Sequence, residues 1–342
     1  MRFLVMGSGG IGGITTALLH ESGQDVVTFT TNPDIARAVS ANGFQLRGDG
    51  PPRAVRARLV TQLPDERFDV IVLCTQPPQV EAAAEMAKGA LADDGVMVCL
   101  QNGLCESRVA AIVGAERTAG AVVAWGAAMP EPGVYDRTAA GGFALGWFNQ
   151  QSTRPLDHVA HAFEAIGPVE TTRNLLGKRW SKLAINAAIS SLGTIGGDRL
   201  GALTSHRFVR RLGLEIMTEA VHVARAEGVS LEKVSGTLDL DWIALTEEDR
   251  KASGSPSLIA KHALLLAVGF RFRRMRSSML AAIERGRTPA VDFLNGEITE
   301  RAKRHEIAAP VNERIRAYVW DIANEKRSTG LDTLRELHDE TR

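Results

Sequence analysis

Arg2-Phe3-Leu4-Val5-Met6 runs directly into Gly7-Ser8-Gly9-Gly10-Ile11-Gly12-Gly13, and helix-compatible residues follow over 14–20. This order predicts a short buried strand, a glycine turn and a helix, the context in which a GxGxxG pattern carries meaning. Gly7 permits the tight turn, Gly9 lets the backbone approach a pyrophosphate, and Gly12 allows the helix to pack closely on the strand. Amide groups at the start of the helix then face the phosphates, where the helix dipole favours negative charge. Gly7, Ser8, Gly9, Gly10, Ile11 and Gly12 are therefore the candidate dinucleotide-binding residues.

Working outward, a second strand is expected over 25–30 and a helix over 33–41. Strand-like apolar runs recur at 54–60, 70–74, 96–100 and 118–124, with a helical stretch over 79–91 between two of them. Alternation of this kind, with fully apolar strands, indicates a parallel sheet covered on both faces. The end of the second strand reads Thr28-Phe29-Thr30-Thr31-Asn32. An NAD-binding site usually places a carboxylate there for the ribose hydroxyls, whereas NADP favours groups that accommodate a 2′-phosphate. Thr31 and Asn32 offer small hydroxyl and amide donors with no repelling carboxylate, so NADP(H) is favoured, with NAD(H) not excluded. Arg37 reads as a solvated helix residue.

From about residue 173 the pattern changes to long helical runs. The chain thus reads as an α/β protein: a Rossmann-type parallel sheet domain over 1–172, followed by an all-helical domain over 173–342. In KRWSKLAINAAISSL (178–192), Lys182, Asn186 and Ser190 fall within an arc of about 80° at 3.6 residues per turn. Apolar residues occupy most of the remaining circumference, which predicts a buried helix whose polar stripe faces a cleft or a partner rather than bulk solvent. A lysine on such a stripe is a candidate acid, base or Schiff-base residue. Asn102, in Leu100-Gln101-Asn102-Gly103-Leu104, is expected at the carboxyl end of a strand, the edge along which open parallel sheets bind ligands. Asn-Gly is also a common turn dipeptide, and both readings stand at this level.

The 342 residues carry 40 Lys+Arg and 40 Asp+Glu, a zero formal charge. That balance excludes the electrostatic footprint of a non-specific nucleic-acid binder and the polybasic anchor of an anionic membrane. Cys74, Cys99 and Cys105 lack a CxxC spacing, and reduced thiols in a cytoplasmic protein are expected. His158 and His161 have no third ligand nearby, so no metal is expected. The sequence leaves monomer and homodimer both open. Residues 239–270 carry Trp242, the acidic run Glu247-Glu248-Asp249 and the loop Ser253-Gly254-Ser255-Pro256-Ser257. They read as surface decoration or a lid, and Arg271, Arg273, Arg274 and Arg276 as a solvated basic face.

GSGGIG (7–12), LQNGL (100–104), WSKLAINAAISSL (180–192), SSML (277–280) and VDFLNG (291–296) occur in an order that resembles the ketopantoate reductase family, from Met1 to about Pro310. The resemblance implies an NADPH-dependent reductase with a Rossmann domain and a helical domain. By it, Lys182 corresponds to the catalytic lysine that donates a proton to a developing alkoxide. Asn102 and Asn186 correspond to asparagines near nicotinamide and substrate, and Ser278 to a substrate-binding serine. Ser190 replaces a second asparagine of the stripe. Other departures are Pro289-Ala290 where the family commonly has Thr-Glu, Ala282 for an acidic residue, Gln76 for a lysine, and no arginine after the second strand. The reduction machinery is retained while substrate-specific polar contacts are lost, which suggests a carbonyl substrate other than ketopantoate. The competing expectation is that Glu297 or Asp292 replaces the missing glutamate in space. An imine or opine-type reductase and a non-catalytic NADP-binding sensor remain as alternatives.

Overall fold

The computed structural model describes residues 1–152, 154–233, 238–251 and 254–342. Ser253 of the loop singled out above lies outside them. The chain divides into two compact units: 1–101 with 105–175, and 176–342 joined by the three-residue segment Asn102–Leu104.

In the first unit, β1 (Arg2–Met6) leads to α1 (Gly10–Glu21), β2 (Asp25–Phe29) and α2 (Pro33–Asn42). There follow β3 (Phe44–Arg47), β4 (Arg53–Val55), β5 (Arg58–Val60), β6 (Phe68–Leu73), α3 (Val80–Ala87) and β7 (Leu91–Cys99). The unit ends with α4 (Glu106–Val113), β8 (Thr118–Val123), β9 (Gly126–Glu131), β10 (Val134–Ala139), β11 (Phe143–Trp147), α5 (Asp157–Glu164) and β12 (Val169–Thr171). The large sheet has the order β12-β11-β8-β7-β6-β1-β2-β5. From β5 to β8 it is parallel, and β1 pairs in register with β2 and β6 on either side. Phe3, Leu4, Val5 and the 70–73 run are essentially inaccessible, as expected for strands covered on both faces.

Two features depart from the sequence expectation. The single strand expected over 54–60 is two short ones in different sheets, and β11 joins the large sheet antiparallel to β8. A second sheet, β4-β3-β10-β9, packs beside α1. Its β9–β10 hairpin turns at Pro132-Gly133, a punctuation that marks such a turn in sequence.

The second unit is helical: α6 (Leu175–Gly196), α7 (Leu200–Ser205), α8 (Arg207–Ala226), α9 (Leu240–Ile243), α10 (Glu247–Lys251) and α11 (Pro256–Arg271). α12 (Ser278–Ile283), the 3-10 turn Ala290–Phe293, α13 (Asn295–Arg304), α14 (Pro310–Ala323) and α15 (Leu331–Glu340) complete it. One core runs through α6, α8, α13 and α14, and it includes Leu240, Ile243, Ala244, Leu245 and Leu258. Much of the 239–270 region is thus built into the core, which corrects its reading as surface decoration. The charged residue that achieves this is Asp249, whose carboxylate is buried against Lys261 Nζ at 2.5 Å. Asn295 of the VDFLNG stretch is also internal: its Nδ2 donates to Asn312 Oδ1 at 2.9 Å, and Asn312 Nδ2 donates to Glu219 Oε2 at 2.6 Å. Among the described residues, no helix is long and apolar enough to cross a membrane.

Candidate functional site

In the first unit, Gly7 sits at φ +105°, and a Cβ there would press on the Cys74–Thr75 backbone at 3.1 Å. A Cβ at Gly12 would lie 1.9 Å from Gly7 O, so only glycine lets α1 start this close to β1. Gly9 is the N-cap of α1 without a side-chain cap, and nothing lies within 4 Å of where its Cβ would be. The first intrahelical bond runs from Gly13 N to Gly9 O, so the N–H groups of Gly10, Ile11 and Gly12 precede the helical ladder. An open, uncapped helix start of this shape fits a pyrophosphate.

Ser8 is 3% exposed, with its hydroxyl 2.9 Å from the Tyr135 hydroxyl. Its side chain is spent inside, so Ser8 can offer a ligand only its backbone. Tyr135, on β10, also lies under Gly13, where a Cβ would fall 2.1 Å from the ring. Burial pushes the Tyr135 phenol up to about 12, so it stays a neutral strut beneath the turn. Sequence reasoning missed Tyr135, because its role depends on a hairpin more than a hundred residues from the glycines.

At the end of β2, Thr31 is exposed. Asn32 caps α2, its Oδ1 accepting from Asp34 N at 2.9 Å and Ile35 N at 3.2 Å. With Oδ1 occupied, the Asn32 amide presents its Nδ2 donor. Arg37 is exposed and pairs with Asp34.

In the second unit, α6 carries the stripe. Lys182, Asn186 and Ser190 are half-buried, whereas Ser181, Leu183, Ala184, Ala187, Ala188 and Ser191 on the other faces are buried. Ile185 and Ile189 are also half-buried and line a small apolar cavity with Ala188, Leu192 and Met217. Lys178, one turn earlier, is buried and pairs with Glu232 at 3.3 Å, which makes it a structural cation. The far end of the stripe meets Ser277, whose Oγ donates to Ser190 O at 2.9 Å and lies 2.9 Å from Thr194 Oγ1. Ser277 also caps α12, accepting from Leu280 N. Pinning Ser277 leaves Ser278 exposed as the first residue of α12, next in sequence to the serine that holds the Ser190 turn.

The Asn102–Leu104 segment belongs to this unit. Leu104 enters its core, and Gly103, at φ +91°, lets the Phe293 carbonyl approach within 2.5 Å of where a Cβ would stand. Phe293 ends the 3-10 turn that Ala290 begins, so the packing brings the Asn102 loop and the Ala290 turn together. The acids offered as stand-ins for a glutamate at 290 are engaged elsewhere. Asp292 Oδ1 accepts from Arg316 Nε at 2.6 Å and from Trp320 Nε1 at 3.2 Å. Glu297 accepts from Arg301 Nε at 2.9 Å, and Arg301 is shared with Glu227 and lies over the Trp180 ring. Among the described residues, no group of three or more His, Cys, Asp or Glu is arranged to hold a metal.

Comparison with known proteins agrees with this architecture. Residues 3–150 match the family model described as "Ketopantoate reductase PanE/ApbA", and residues 174–322 match "Ketopantoate reductase PanE/ApbA C terminal". A 2-dehydropantoate 2-reductase of Pyrococcus horikoshii is 26% identical over 332 residues, 96% of this chain and 99% of that protein. One from Halobacterium salinarum is 28% identical over 318 residues, 91% and 95% of the two chains. Among solved structures, a PanE/ApbA family ketopantoate reductase from Ralstonia eutropha superposes with a TM-score of 0.78 at 25% identity, covering 96% of this chain and all of that one. D-mandelate dehydrogenase, solved with NADH and anilino(oxo)acetate, shares the fold with a TM-score of 0.81 at 19% identity, covering 95% and 99%. With both family models matched in order across most of its length, the chain belongs to the ketopantoate reductase family of oxidoreductases.

Proposed function

We propose that this oxidoreductase moves a hydride between NADP(H) and a small carbonyl compound, a 2-oxo acid by class, or the corresponding alcohol. We further propose that ketopantoate is not its preferred substrate. The observation that carries the reading is α6, a helix whose Ser181, Leu183, Ala184, Ala187 and Ala188 are buried while Lys182, Asn186 and Ser190 form one half-buried polar stripe. The bound dinucleotide supplies or accepts the hydride. Gly9, Gly10, Ile11 and Gly12 would hold its pyrophosphate through backbone N–H groups, and Thr31 and Asn32 would face its 2′-phosphate.

Lys182 carries the proton. Its cationic form stabilises charge growing on the substrate oxygen before the proton moves, which is usually the larger share of such catalysis. Asn186 and Asn102 orient lysine, cofactor and substrate by hydrogen bonds, and Ser190 and Ser278 bind the polar end of the substrate. In the direction of alcohol oxidation the same lysine, deprotonated, takes the hydroxyl proton.

Cofactor preference follows from the uncharged end of β2. NADPH is expected to bind more tightly than NADH, measured by titrating each and following nicotinamide fluorescence. Thr31→Asp should weaken NADPH by roughly 10–10²-fold through like-charge repulsion, with a much smaller effect on NADH. Equal or tighter NADH binding by the unaltered protein would sink the preference.

Substrate preference follows from Ala290, Ala282 and Ser190. A site built to bond a hydroxyl selects strongly for it, and an apolar replacement gives that selection up. Asp292 and Glu297 each hold an arginine, Arg316 and Arg301, which supports reading position 290 as short of an acceptor. kcat/KM for ketopantoate should fall below that of another member of a panel of aliphatic and aromatic ketones and 2-oxo acids. Ala290→Glu should raise the ketopantoate value about 10–10²-fold, the worth of one hydrogen bond to a charged group. Ketopantoate heading the panel, with no gain from Ala290→Glu, would refute this reading of the pocket.

A further inference from the structure

Within the helical unit, and apart from the α6 stripe, a cleft of about 1190 Å³ opens along the flank of α8. Its other walls are the adjoining parts of α10 and α11, the start of α14 and the C-terminal half of α15. Lys182, Asn186 and Ser190 are not among its lining residues, and α15 lies beyond residue 322, where the match to the family's C-terminal model ends. Four of the chain's eight histidines, His206, His222, His262 and His338, line this one cleft. Arg207, Arg211, Arg250 and Arg335 line it as well.

The carboxylates of the cleft are already engaged. Glu215 is held by Arg211 at 2.7 Å and by Arg250 at 3.3 Å, and Asp249 by the buried Lys261. Glu219 accepts from the first amides of α14, Val311 N and Asn312 N, both at 2.9 Å. Asp339, beside the cleft on α15, meets His338 Nδ1 at 3.0 Å. The charge left over is positive.

Two groups in the cleft lack a polar partner among the described residues. Arg335 is exposed and is held by no acid; its guanidinium lies over the Phe208 ring, 4.1 Å from the centroid. Stacking of this kind orients the guanidinium and leaves its N–H donors available. His206 and His338 flank the same ring, with centroids at 5.9 and 5.7 Å. His262, on α11, is 8% exposed, and its Nδ1 is buried with no hydrogen-bond partner. Burial and the charges of Arg210, Arg207 and Arg211 lower its pKa to about 4, so the ring is neutral at pH 7. A buried nitrogen left unpaired is costly, and such a group in a native fold calls for a partner from outside the chain.

We propose that this cleft binds a small organic phosphate with two phosphoryl groups, one drawn to Arg335 and His338, the other to Arg207 and His262. Donors set on separate helices outnumber what the two oxygens of a carboxylate can use, whereas each phosphoryl group offers three strong acceptors. A cleft of this volume suits a whole small molecule rather than a lone ion. The site is independent of the reaction assigned to the α6 stripe, and its test needs no turnover.

The test is calorimetric titration of the full chain with fructose 1,6-bisphosphate, beside inorganic phosphate and succinate. The bisphosphate should bind at least tenfold more tightly than phosphate, and succinate more weakly than either. Arg335→Ala should weaken the bisphosphate about 10–10²-fold, the worth of a hydrogen bond to a charged group, with an unchanged melting temperature because the side chain is exposed. His262→Leu should weaken it about three- to tenfold while keeping or raising the melting temperature, since it deletes an unpaired buried nitrogen. A purely structural histidine would lower stability and leave binding alone. In nitrogen NMR of the imidazoles, the bisphosphate should move the His262 titration upward, because a nearby anion favours the protonated ring. Binding indifferent to both substitutions would place the anion elsewhere, at the glycine turn for instance, and overturn the proposal. So would phosphate matching the bisphosphate, succinate matching it, or no binding of either phosphoryl compound at millimolar concentration.

Discussion

Lys182→Ala is expected to lower kcat by about 10²–10⁴, the usual span for a positioned acid–base group, on whichever carbonyl compound proves the best substrate. KM and NADPH affinity should move little, because the loss falls on charge that develops only as the substrate oxygen becomes an alkoxide. The structure supplies the control. Lys178 lies one turn away on the same helix, is buried and pairs with Glu232 at 3.3 Å. Lys178→Ala should therefore cost stability and leave kcat per folded molecule nearly unchanged. If Lys182→Ala kept near-normal turnover while Lys178→Ala lost it, the two roles would be exchanged. If neither variant lost turnover, proton transfer by this helix would be excluded.

The readability of these features tracks how local their causes are. The glycine turn is encoded within seven residues, since backbone reach, turn geometry and helix start all act between near neighbours: Gly7 takes a positive φ and Gly12 lies against Gly7 O. The stripe on α6 is equally local, because helical periodicity alone decides which residues share a face; Lys182, Asn186 and Ser190 are half-buried, as are Ile185 and Ile189, while Leu183, Ala184, Ala187 and Ala188 are buried. The second sheet is not legible in the sequence, because its strands are short and mixed in polarity and its central pair, β3 with β10, joins residues some ninety apart. Tyr135 escaped for the same reason. Asn295 was visible only as part of a family-like stretch, whereas its bond to Asn312 explains why an amide is needed inside the helical core. The most instructive miss is Glu247-Glu248-Asp249-Arg250-Lys251. In sequence it is a solvated charge run, and four of its residues are exposed, but the third is buried against Lys261 on the next helix. No periodicity announces such a pairing, because its partner is set by how α10 folds back on α11.

Asp249→Ala is accordingly expected to be among the most damaging single changes to stability in the helical unit. Both side chains of the pair are essentially inaccessible, at 0% and 2% exposure. Lys261 Nζ also donates to Ala244 O at 2.8 Å, and Asp249 accepts from Ser255 Oγ and from Thr246 N. Removing the carboxylate strands the ammonium in the core, which typically costs about 3–5 kcal/mol. For a unit of this size that lowers the melting temperature by roughly 10 °C, measured by calorimetry. Replacing both partners with apolar residues of similar volume, Asp249→Leu with Lys261→Met, should recover most of the loss, because the chief penalty is the unpaired charge. Acid titration gives an independent check. Burial alone would raise the Asp249 carboxyl, but its bonds to Lys261, Ser255 and Thr246 outweigh it and hold the group well below its ordinary value of 3.8. A carboxylate with a depressed folded-state pKa contributes stability that is complete above the unfolded value and is lost as pH falls toward the folded one. Stability of the unaltered protein should therefore decline as pH drops below about 4, and the Asp249→Leu, Lys261→Met variant should show a shallower decline over the same range. Equal acid slopes in the two proteins would mean that the pair contributes nothing to acid sensitivity, and a thermally indifferent Asp249→Ala would remove its claim on the core.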